Sequence, residues 1–139
     1  LRTSGGYSTL WMLKAILNTE SHIDTIEFSD YRFNISQKSF DYVNTTQITQ
    51  HQGKTTAILE KWNTPVDFVF IDHSKENYLK DFKLIEPHLT ERAVIVADNI
   101  LDNPTKVDDF VTYLDEHDEF ESFVLPLENG LLIALRKGV

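Results

Sequence analysis

Two short apolar runs in this sequence each end in residues that carry oxygen. One is Val66-Asp-Phe-Val-Phe-Ile-Asp72, followed by His73-Ser74-Lys75, and the other is Ala93-Val-Ile-Val-Ala-Asp98-Asn99. In an open parallel sheet, ligands bind beyond the carboxyl ends of the strands. Asp72, Asp98 and Asn99 placed there would converge on one point. Two carboxylates and an amide carbonyl form a hard, all-oxygen ligand set, which suits Mg²⁺ or Ca²⁺ and is wrong for a thiophilic metal. Lys75, one helical turn further on, would reach whatever the cation holds. Glu27 closes an earlier run about 20 residues past the Gly5-Gly6 turn, where ribose recognition is expected in such sheets.

The elements that must position these groups alternate along the chain. A helix over 7–18 carries Leu10, Leu13 and Leu17 at helical spacing, and a strand over 23–28 follows. Asp30 is the expected N-cap of a helix reaching about Val43, ahead of a brief strand over 46–49. A helix over 55–62 and a buried strand over 66–72 come next. Tyr78, Leu79, Phe82 and Ile85 then share one side of a helix over 75–89, which leads to a strand over 92–98. Pro104 suits a first helical turn, and Val107, Phe110, Val111 and Leu114 give that helix a core face. The C-terminus differs: β runs over 120–127 and 131–136, joined through Asn129-Gly130, read as an antiparallel hairpin.

Strands separated by helices and closed by a hairpin predict an α/β fold, a Rossmann-like three-layer α/β/α sandwich with a mostly parallel sheet and a C-terminal antiparallel hairpin. Right-handed crossovers bring the parallel strands' C-terminal ends to one edge, so Asp72 and Asp98 share a rim.

At 139 residues the chain is one domain with a single core. Its apolar fraction of 41% and charged fraction of 25% are those of an ordinary soluble protein. No run approaches the roughly 20 apolar residues of a membrane helix and no signal peptide opens the chain, so a cytoplasmic protein without membrane contact is expected. The absence of cysteine excludes disulfides, thiolate zinc sites and cysteine nucleophiles. A net charge of −9 argues against a broad electrostatic grip on nucleic acid. His22, His51, His88 and His117 lack metal-ligand spacing and are expected at the surface. Leu1 enters the glycine turn at once, so the strand feeding that turn is expected upstream of these residues.

Five strings in order resemble the metal-dependent O-methyltransferases of the catechol and caffeoyl-CoA type: Gly5-Gly-Tyr-Ser-Thr-Leu-Trp11, Thr25-Ile-Glu27, Phe70-Ile-Asp-His-Ser-Lys-Glu-Asn-Tyr78, Val96-Ala-Asp-Asn99 and Leu125-Pro-Leu-Glu-Asn-Gly-Leu131. The resemblance spans nearly the whole chain of this class I family. It implies a seven-stranded sheet with its last strand antiparallel, and a first strand and helices upstream of residue 1. It also implies that Asp72, Asp98 and Asn99 hold a divalent cation, usually Mg²⁺, and that Lys75 and Asp72 carry catalysis, Lys75 by deprotonating or electrostatically assisting the acceptor hydroxyl. S-adenosylmethionine is the implied cofactor. Glu27 would take its ribose hydroxyls, Gly6 and Ser8 its methionine part at a helix N-terminus, and His73 would lie beside the adenine, with Phe28 and Asp72 also in contact.

The expected acceptor is a small catechol-like molecule, since vicinal oxygens can share one cation. A modified tRNA nucleoside is the alternative acceptor, and a non-catalytic binding or dimerisation module is the alternative class; a homodimer fits either. Four positions depart from the family pattern, one of them Thr90-Glu91-Arg92, which stands where a Pro-Gly-Gly turn would precede the Asp98 strand. Arg2 replaces the first glycine of the turn, Lys54 stands where an acid would face the adenine amine, and Phe123 stands where the animal enzyme has the carboxylate that orients catechol.

Overall fold

The computed structural model describes residues 1–138. Their contacts define two compact units, Leu1–Ile58 and a second beginning at Leu59.

In the first unit, helix α1 (Tyr7–Ile16) opens at Gly6, which has a left-handed φ of 89°. A Cβ at Gly6 would lie 3.1–3.3 Å from side-chain atoms of Phe40 and Ser36, so both conformation and space call for glycine. Strands β1 (Ile23–Glu27) and β2 (Ile48–Gln52) pair in parallel, from Ile23↔Ile48 to Glu27↔Gln52. Between them runs α2 (Asp30–Val43), whose N-cap is Ser29 rather than the expected Asp30; the Ser29 hydroxyl accepts the Arg32 N–H at 3.4 Å. The second strand begins at Ile48, later than expected, just after Gln47. Its amide donates to the carbonyls of Ile16, Thr19 and Ser21 at 3.0–3.1 Å and pins the loop that follows α1. Helix α3 (Thr55–Leu59) stops short of the expected 62 and ends in a turn closed by the Trp62 N–H on the Leu59 carbonyl. Pro65 follows soon after, and the residue before a proline is pushed out of the helical region.

The second unit carries strands β3 (Val66–Ile71), β4 (Leu89–Asp98), β5 (Phe120–Leu125) and β6 (Leu131–Arg136) in the order β3-β4-β6-β5. The β3–β4 pair is parallel, whereas β6 is antiparallel to both β4 and β5, so the expected hairpin is present. The expected helix over 75–89 is three pieces: a 3-10 turn Lys75–Asn77, helix α4 (Tyr78–Ile85), and a second 3-10 turn Glu86–His88. Pro87 lacks the N–H that would continue α4. Strand β4 starts immediately after, at Leu89. Another 3-10 turn, Pro104–Lys106, leads into α5 (Asp108–Asp115).

The core of this unit lies on one face of its sheet. Ile71, Ile95 and Leu132 are fully buried there with Tyr78 and Phe82 from α4 and Phe110 and Leu114 from α5. Phe82 meets Phe110 and Phe120 edge to face, with ring centroids 5.6 and 5.7 Å apart. The opposite face presents Phe68, Phe123 and Leu135, each more than two-fifths exposed. The α/β class read from the sequence therefore holds, with hydrogen-bonded strands in a two-stranded and a four-stranded sheet where one sheet was expected. Among the described residues, no helix is long and apolar enough to cross a membrane.

Candidate cofactor and cation site

The shared rim follows from strand register. Ile71 pairs with Ala97 in the parallel β3–β4 ladder, so Asp72, just past β3, and Asp98, the last residue of β4, stand side by side at the rim. Asn99 turns the chain in the left-handed region, φ 61°, which asparagine tolerates better than other non-glycine residues. That turn points its N–H at Asp98 Oδ1, 2.7 Å away, and lets its side-chain Nδ2 donate to Asp72 Oδ1 at 3.0 Å. The three side chains expected to hold a cation are thus tied to one another. From beneath, the buried Tyr78 hydroxyl donates to the Asp98 carbonyl at 2.9 Å and fixes the height of the strand end.

Two carboxylates and an amide oxygen are the donor types that suit a hard divalent cation, although the Asn99 amide here turns its nitrogen toward Asp72. Among the described residues, no group of three or more His, Cys, Asp or Glu side chains is placed to hold a metal ion.

Lys75 opens the 3-10 turn that follows, and its ammonium is ion-paired with Asp102 at 2.9 Å. In this pairing it is a charged donor with no acceptor to offer. The His73 side chain is mostly buried, with Nε2 3.4 Å from Asp81 Oδ2 and Nδ1 3.1 Å from the Ser74 carbonyl. Its ring stands edge-on to Tyr78 at 5.1 Å. Asp81, on α4, is 1% exposed and had no sequence signal of its own beyond a helical position. Tyr78 had one, because it closes the motif that begins at Phe70. Asp102 was not singled out in the sequence, since it lies in a turn outside the motifs; Asn129 was marked only as part of the hairpin turn.

In the first unit, Glu27 is the organising residue. It is 4% exposed at the end of β1. One carboxylate oxygen accepts the Ser4 N–H at 2.7 Å and the other accepts the Ser29 N–H at 2.9 Å. The carboxylate therefore ties the glycine turn to the start of α2. Each oxygen keeps a further lone pair for an outside donor. Gly6 supplies no side-chain acceptor to the first-turn amides of α1, and Ser8 lies in that turn, so this helix N-terminus retains the donors that a carboxylate would use. Phe28 is 64% exposed, and Lys54 Nζ stands 5.9 Å from its ring centroid. The lysine that departs from the family pattern therefore caps the aromatic ring expected to touch the cofactor.

A model of the methyltransferase domain matches residues 3–100. The chain is 33% identical over 106 residues to a catechol O-methyltransferase of Niastella koreensis, covering 73% of this chain and 48% of the relative. It spans about half the length of the curated relatives it matches. Among solved structures, the SAH-bound Podospora anserina methyltransferase PaMTH1 superposes with a TM-score of 0.89 at 20% identity, over 97% of this chain and 69% of that one. The O-methyltransferase TomG from Streptomyces achromogenes, in complex with SAM, gives 0.86 at 23% identity, over 99% and 71%.

Proposed function

We infer the activity from kinship joined to local geometry: this chain belongs to the methyltransferase-domain family. The reaction is transfer of a methyl group from S-adenosylmethionine to a hydroxyl oxygen of a small vicinal diol or phenol. The carbon–oxygen bond forms as the carbon–sulfur bond breaks, and the hydroxyl proton is released. The observation that carries this reading is the tied rim of Asp72, Asp98 and Asn99, in a chain with a catechol O-methyltransferase among its relatives.

In this reading Asp72, Asp98 and Asn99 would hold Mg²⁺, which would supply positive charge near the acceptor oxygen. Glu27 accepts the two ribose hydroxyls with the lone pairs its backbone partners leave over. Gly6 and Ser8 present first-turn amides to the methionine carboxylate, and Phe28 offers an exposed ring beside them. His73, held by Asp81, fixes the chain just beyond Asp72. Lys75 acts on the acceptor oxygen as a cation, kept in place by Asp102, and stabilises the negative charge that develops there. Orientation of the oxygen against the methyl carbon supplies much of the remaining rate.

The test is incubation of the full-length protein with methyl-labelled S-adenosylmethionine and a panel of vicinal diphenols, with Mg²⁺ and again with a chelator. Labelled methyl ether formed with Mg²⁺ and lost with the chelator is the expected result. Ether formed equally in both would remove the cation from the reading, and no ether with any acceptor would count against the reaction itself.

A further inference from the structure

The loop after β2 is bonded to the end of β1. The Gly53 N–H donates to the Glu27 carbonyl at 3.0 Å, and one residue beyond that bond on either side stand Lys54 and Phe28. Both are exposed, and the Lys54 ammonium lies 5.9 Å from the centroid of the Phe28 ring, at the outer reach of a cation–π contact. Among the described residues the ammonium meets no carboxylate and no other acceptor, so its three N–H donors remain available. The other polar side chains at these strand ends are engaged. Glu27 accepts the Ser4 and Ser29 N–H groups, and Gln52, opposite Glu27 in the ladder, donates to Asp30 at 2.6 Å.

A nucleoside whose ribose hydroxyls sit on Glu27 brings its base into this neighbourhood, where Phe28 offers an apolar face and Lys54 offers donors alone. The two common purine types answer a donor differently. Adenine shows an amine beside its N7 acceptor, whereas a 6-oxo purine shows O6 and N7, two acceptors on one edge, the pair that lysine reads in guanine. An ammonium cannot accept from the adenine amine. It meets adenine at a ring nitrogen only, and it gains a second acceptor when the amine becomes a carbonyl. A carboxylate in the same place would have the opposite preference, accepting from the amine and repelling the carbonyl oxygen.

We propose that Lys54 is a specificity-determining residue of the nucleoside site, one that reads the purine through its acceptor atoms and so admits a 6-oxo base at least as well as adenine. The inference rests on the reading of Glu27 as the acid that takes the ribose.

The test is calorimetric titration of S-adenosylhomocysteine and its 6-oxo analogue, S-inosylhomocysteine, into the full-length protein, Lys54→Met and Lys54→Asp. The two ligands have the same net charge and the same ribose and amino-acid parts, so the ratio of their affinities reports on the base alone. The parent is expected to bind the 6-oxo ligand at least as tightly as the 6-amino one. Lys54→Met is expected to weaken the 6-oxo ligand about tenfold relative to the 6-amino ligand, on the scale of one well-placed base contact, and Lys54→Asp to favour the 6-amino ligand. A parent that binds S-adenosylhomocysteine the more tightly would overturn the proposal while leaving the ribose reading intact. Equal weakening of both ligands in Lys54→Met would trace its effect to charge or folding and overturn it as well. Binding of neither ligand by the parent would remove the reading of the site together with the proposal.

Discussion

Lys75 is the residue whose role the structure narrows most. A lysine near an acceptor can take the hydroxyl proton or stabilise the charge left behind, and the sequence left both open. Its ammonium is paired with Asp102, which favours the electrostatic role. The two roles separate on substitution, because arginine keeps a charge but does not serve as a proton acceptor at ordinary pH. Lys75→Met is expected to lower kcat about 100-fold or more, in the range typical of a lost charge-stabilising donor. Lys75→Arg is expected to stay within about tenfold of the parent, and an arginine variant as slow as the methionine one would make Lys75 the base. At this scale the sequence placed Asp72, Asp98 and Asn99 correctly together, since register alone decides which residues leave neighbouring strands side by side. It was silent on Asp81 and Asp102, whose partners lie 8 and 27 residues away.

Elements were legible where a periodic pattern set their limits and less so where a single side chain did. The hairpin was marked by Asn129-Gly130 between two apolar runs. The long helix expected over 75–89 was not one helix, because Pro87 and the turn at Lys75–Asn77 divide it. Ser29 capped α2 instead of Asp30 through one hydrogen bond that either residue type could make. Behind Pro87, α4 and α5 are joined by a polar cluster that includes His117, which the sequence reading had assigned to the surface. The Tyr113 hydroxyl donates to Glu86 Oε2 at 2.8 Å, and His117 Nε2 lies 3.2 Å from Glu86 Oε1, three-quarters buried between the rings of Tyr113 and Phe120. Burial first, and the neighbouring Glu86 carboxylate second, push the Tyr113 phenol up to about 12. The folded state therefore holds that proton more tightly than the unfolded chain. Its stabilising contribution is complete below the ordinary tyrosine value of about 10 and is lost as pH rises toward about 12. In urea unfolding, the gap in midpoint between the parent and Tyr113→Phe is expected to narrow across that window; a constant gap would mean that the phenol titrates alike in both states.

At the scale of the whole molecule, strands alternating with helices made the α/β class legible, but not the division of the hydrogen-bonded strands into sheets of two and four. Alternation reports that strands are separated by helices. It does not report which strand edges find partners. The central claim is that the turn, Glu27 and the first amides of α1 receive S-adenosylmethionine, despite Lys54 standing over Phe28. Calorimetric titration of S-adenosylhomocysteine into the full-length protein with Mg²⁺ present tests it most directly. Binding in the micromolar range that weakens in Glu27→Gln, where one acceptor oxygen becomes a donor, is the result expected, and no heat of binding at millimolar ligand would contradict it.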